Sequence, residues 1–71
     1  MNPEELQERM DNFAIWKRMS QDQREALWSW NAGTDHVTAG WTFPMFSTST
    51  ATIVFAISRW MAEQQASLDK T

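Results

Sequence analysis

Seventy-one residues with no cysteine make one domain near the lower size limit for folding without staples, and they exclude disulfides and cysteine-based zinc sites. Two glycines leave no material for a glycine-rich phosphate loop. A formal net charge of −3, with only six basic residues, is a poor electrostatic footprint for duplex nucleic acid.

The first helix is expected over residues 3–18. Asn2 is placed to cap it, Pro3 suits its first position, and Glu5 stands where a capping box needs it. Met1 and Leu6 occupy the two positions of a hydrophobic staple. Leu6, Met10 and Phe13 share one face at helical spacing, whereas Ala14, Ile15, Trp16 and Met19 point in most directions. Either the helix breaks near Asp11 and Asn12 or its second half is buried on several sides. Continuity to Arg18 is the preferred reading.

Ser20 opens a second helix over 21–31, with Gln23 completing its capping box and Gly33 placed to end it as a left-handed C-cap. Ala26, Leu27 and Trp30 form its inner face. Trp28 falls about 100° away from Leu27, four residues after Arg24, a spacing that permits a cation–π contact within the helix.

Residues 34–49 read as a long loop rich in aromatic side chains, with a short helical turn at 35–39. Pro44 biases Phe43 away from helix. Trp41, Phe43, Met45 and Phe46 argue against a floppy linker and for a segment folded back over the core. The third principal helix is expected over 48–68. Its start, Thr50 to Phe55, is rich in strand-forming residues, but Ile53, Ile57, Trp60, Met61 and Leu68 align on one helical face. Phe55, Ala62 and Ala66 form a second, narrower stripe on the opposite side. The fold expected is therefore a mainly α, three-helix domain covering 1–71, with an α+β hairpin over 41–57 as the fallback.

Charge is unevenly placed. Residues 1–11 carry Glu4, Glu5, Glu8 and Asp11 against Arg9, a balance of −3, and residues 12–24 carry Lys17, Arg18 and Arg24 against Asp22, a balance of +2. Lys17, Arg18 and Arg24, with Trp16 and Trp28 nearby, define the alternative function, a small nucleic-acid-binding regulator that stacks bases. The competing reading of that patch is a solvated junction between two helices, so nucleic acid is not the expected partner.

An enzyme is not expected. His36 is the one histidine, and a hydrolase would have to combine it with Ser47 or Ser49 and an oxyanion hole. Asp35 beside it serves equally well to close a turn. No cofactor and no metal site is expected, since no carboxylates cluster near His36. The apolar run Ile53–Ile57 is far short of the ~20 residues of a membrane span, and the acidic start lacks the apolar stretch of a secretory signal. These features point to a cytoplasmic protein without a membrane.

Five tryptophans (Trp16, Trp28, Trp30, Trp41 and Trp60) and four phenylalanines exceed what a three-helix monomer readily hides, and rings of this kind anchor interfaces. The function expected is a non-enzymatic protein that binds and regulates or inhibits a larger protein partner, as a homodimer, in the manner of a phage or plasmid accessory factor. Partner contact is expected at Trp28, Arg24, Trp41, Phe43 and Phe46, and self-association at Phe55, Ala62 and Ala66.

Overall fold

A computed structural model describes residues 1–70; Thr71, the last residue of the expected domain, lies outside the described residues. The chain is all-α, with three main helices and a short one: α1 (Pro3–Arg18), α2 (Gln21–Thr34), α3 (Phe43–Ser47) and α4 (Thr50–Asp69). No strand forms among the described residues, so the hairpin over 41–57 is excluded. The β-branched start of α4 is helical because it is also the core: Ile53, Val54, Ala56 and Ile57 are all buried there, and burial overrides local strand preference.

The helix starts follow their cap residues. Asn2 Oδ1 accepts from the Glu5 N–H at 2.8 Å. Ser20 and Gln23 form a complete capping box, at 3.1 and 2.7 Å. The end of α2 differs from expectation. Gly33 is inside the helix and no described residue has a positive φ, so there is no left-handed cap at the end of α2. Asp35 caps in an extended conformation while its N–H donates to Asn31 O at 2.9 Å. The Thr34 hydroxyl donates to Trp30 O at 2.9 Å. An arginine from α4 takes the Thr34 carbonyl, so the last turn is completed by another helix.

The segment between α2 and α4 is more ordered than a loop. Residues 36–40 form hydrogen-bonded turns, and α3 follows directly. Pro44 does not prevent this helix because it lies in the first turn, where its missing N–H has no helical partner to lose. Thr42 caps it, accepting from the Met45 N–H at 3.3 Å. The expectation that the segment's aromatics fold over the core holds: Phe46 is 0% exposed, and its ring meets Trp16 edge-on at 5.8 Å.

The core gathers Trp16, Leu27, Phe46, Ile53, Ala56 and Ile57. Helices α1 and α4 run antiparallel, as two cross-links show: Ser58 Oγ donates to Glu8 Oε1 at 3.3 Å and Asn12 Nδ2 to Val54 O at 3.5 Å. Of the α1 face expected to be apolar, Leu6, Met10 and Phe13, only Phe13 packs against the core. Asn12 and Trp16 are buried, while Leu6 and Met10 are 52% and 58% exposed. Pairing with α4 fixes this rotation, because Glu8 and Asn12 lie on the α4 side and carry the Leu6–Met10 stripe outward.

The two ends of the molecule are unequal. Every residue of 1–11 and of 60–70 is exposed, and the buried residues all fall between Asn12 and Ile57. The total accessible surface is 5125 Å², against about 4,600 Å² for a folded monomer of this mass. The radius of gyration, 12.5 Å, likewise exceeds the about 11 Å of a compact chain of this length. One end is packed and the other is open.

Candidate functional site

Two arginines hold the packed end by the same device. Arg24 of α2 lies over the Trp16 ring at 4.9 Å, and donates through Nε to Trp16 O at 3.1 Å and through Nη2 to Lys17 O at 3.3 Å. It thus adds a donor to the Trp16 carbonyl, which already accepts from the Met19 N–H at 3.1 Å, and to the Lys17 carbonyl, and it places a positive charge at the negative end of that helix. The intrahelical contact expected with Trp28 gives way to this one, because the terminus of α1 offers hydrogen bonds as well as a ring. Arg59 of α4 treats α2 likewise. It lies over Trp30 at 4.9 Å and donates to Asn31 Oδ1 at 2.8 Å, Thr34 O at 3.2 Å and Thr34 Oγ1 at 3.0 Å. Asn31, itself buried, passes the link to the buried Thr38 hydroxyl at 2.8 Å.

Trp28, the ring out of phase with the core face of α2, turns toward the chain's own middle segment. Its Nε1–H donates to Trp41 O at 3.0 Å, and its ring meets Phe43 edge-on at 6.0 Å. Four of the five residues expected to contact a partner therefore cohere as two internal joints: Trp28, Trp41 and Phe43 pin the middle segment, and Arg24 ties α2 to α1. The fifth, Phe46, is wholly buried and belongs to the core. Arg24, Trp28, Trp41 and Phe43 stay half-buried in these joints.

The accessible apolar surface lies elsewhere. A groove of about 500 Å³ opens between Ile15 and Met19 of α1, Gln23, Ala26, Leu27 and Trp30 of α2, and Trp60 of α4. Trp60, expected in the core, is 39% exposed. Its helical face is the continuation of Ile53 and Ile57, but here that face borders the groove and is not sealed against α2. A second groove, of about 450 Å³, continues along α1 from Ile15 toward Glu4, with Met61 and Ser58 on the α4 side and Glu4, Glu8 and Asp11 on the α1 side. Phe55 is 57% exposed, and Ala62 and Ala66 are exposed with it. That stripe lies on the side of α4 opposite Ile53 and Ile57, apart from the groove.

The residues weighed for other chemistry do not converge. His36 is exposed, while Asp35 Oδ1 accepts from the Val37 N–H at 3.1 Å and so closes a turn. Ser47 Oγ donates to Pro44 O at 3.2 Å and Ser49 Oγ to Thr52 Oγ1 at 2.8 Å. Lys17 and Arg18 are exposed, and the Lys17 ammonium lies 5.5 Å from the Phe13 ring centre. Arg24 is engaged with α1. Among the described residues no group of three or more His, Cys, Asp or Glu side chains is placed to hold a metal ion. No helix there is long and apolar enough to cross a membrane.

Fold and surface together define a small helical protein with a clamped end, an open end, and an apolar groove that runs from Trp60 of the open end onto Met19, Leu27 and Trp30 of the clamped one. The chain has no significant match among protein-family models, curated proteins or solved structures. Sequence reasoning missed Arg59 and the groove. The signal for Arg59 was its place beside Trp60 on an otherwise apolar stretch of helix. The groove has no local signal, because its lining comes from three helices far apart in sequence.

Proposed function

We propose that this chain is a non-enzymatic cytoplasmic protein that binds and regulates a larger protein partner through its open end and the apolar groove that runs from it, while the joints of the clamped end act as scaffold. The observation that carries the reading is the run of the core face of α4 out of the core, from Ile53 and Ile57 to Trp60 and Met61, beside an apolar groove. Contiguous exposed apolar surface of this kind marks interaction sites, and a tryptophan at its centre is the favoured anchor. The stripe of Phe55, Ala62 and Ala66 serves self-association: two small residues let a second α4 approach closely, and the groove stays free on the opposite side. The surplus of about 500 Å² over a compact monomer is of the order that one subunit contributes to a small interface.

Capture from host lysate tests the reading. The wild type retains a partner that the Trp60→Glu variant, equally helical by circular dichroism, does not. Equal retention by both would remove the open end from the function. For self-association, sedimentation equilibrium detects a dimer that Ala62→Glu converts to a folded monomer; a wild type monomeric at high micromolar concentration contradicts it.

A further inference from the structure

The occupant of the groove can be narrowed by charge, which rests on the reading of the open end as a docking site. We infer that the partner presents a basic amphipathic helix. The two grooves meet at Ile15 and together follow α1 from Glu4 to Met19, a length of about 22 Å at 1.5 Å per residue. That length fits about four turns of a second helix lying alongside α1 and α4. The floor is apolar over Met19, Leu27, Trp30 and Trp60, which suits the apolar face of such a helix.

The α1 wall differs. Glu4, Glu8 and Asp11 line it on one side of the helix, and all three are exposed. The cations of α1 do not neutralise this wall. Arg9 and Lys17 point more than about 100° away from it around the helix, and Lys17 lies on Phe13. Arg18 alone shares that side, at its far end beyond Ile15. A helix seated in the groove thus meets apolar surface below and carboxylates along one flank, and lysine or arginine on that flank is the complementary charge. Such pairing at a rim sets orientation and discriminates among partners more than it raises affinity. A second copy of this chain fits poorly, since its own exposed helical halves are acidic over 1–11 and neutral over 59–70.

Three synthetic helical peptides of about 15 residues (about four turns), without tryptophan, test the inference. They share one leucine face and carry lysine, glutamine or glutamate on the flank. Binding is read from the chain's tryptophan emission at low salt, with the assembly state followed by sedimentation. The lysine peptide is expected to bind at least about tenfold more tightly than the glutamate peptide, and the difference to shrink as salt rises. The triple variant Glu4→Gln, Glu8→Gln, Asp11→Asn should remove the preference, and Trp60→Ala should weaken all three peptides. Equal, Trp60-dependent binding of the three overturns the charge inference and leaves the docking site standing. Failure of all three, with the chain a dimer that shields Trp60, assigns the groove to a second copy and overturns the inference. Failure of all three on a monomer overturns both readings.

Discussion

The two ends of α4 have similar helical phasing and opposite fates. From Ile53 to Ile57 its core face meets Trp16, Leu27 and Phe46 and is sealed. From Trp60 onward the same face continues and stays exposed. Sequence periodicity is continuous across that boundary; the tertiary contacts are not. Amphipathic phasing reports which face a helix would bury, while the packing of the surrounding helices decides how much of it is buried.

Substitutions should divide along this boundary. Phe46→Ala attacks the most enclosed ring and should cost about 3–5 kcal/mol, a large share of the about 5–15 kcal/mol of a typical domain; denaturant unfolding measures it. A loss below about 1 kcal/mol would show that the packed end is not the stabilising one. Arg59→Ala comes next, at about 2 kcal/mol, because it leaves the buried Asn31 and the end of α2 short of a charged donor. Arg59→Lys should recover less than half of that, since an ammonium lacks the planar fork that spans Asn31 and Thr34. Full rescue by lysine would reduce the clamp to a simple charge effect.

A smaller effect is expected at Trp28→Phe. It keeps a ring against Phe43 but deletes the hydrogen bond to Trp41 O, for about 1 kcal/mol, with increased amide exchange confined to the middle segment. At the open end, Met61→Gln should change stability by less than about 0.5 kcal/mol while weakening partner or peptide binding. If Met61→Gln destabilises as much as Trp28→Phe, the distinction between scaffold and docking end fails.

Much of this architecture was legible in local chemistry. The bounds of α1, the caps at Asn2 and Ser20 and the helical nature of α4 follow from side chains within a few residues of one another. The middle segment was legible in its packing but not in its backbone. Pro44 signals a break only if its place in a helix is unknown, and Thr42, which defines that place, is one of several threonines nearby. Trp28 is off-phase with the core face of α2, but a residue out of phase with one helix face can be in phase with a segment folded against another. Leu6 and Met10 show the converse: a regular apolar spacing was left outside because Asn12 and Glu8 set the rotation of α1. The groove at Trp60 arises from three helices meeting, and no single stretch of sequence encodes it.

Hydrogen exchange of the chain, at a concentration where sedimentation shows monomer, tests the contrast between the ends most directly. The account predicts strong protection at Leu27, Asn31 and residues 53–57, and rapid exchange across residues 61–69 that slows when the lysine peptide or a partner is bound. Residues 61–69 protected as strongly as 53–57 in the free monomer would contradict it.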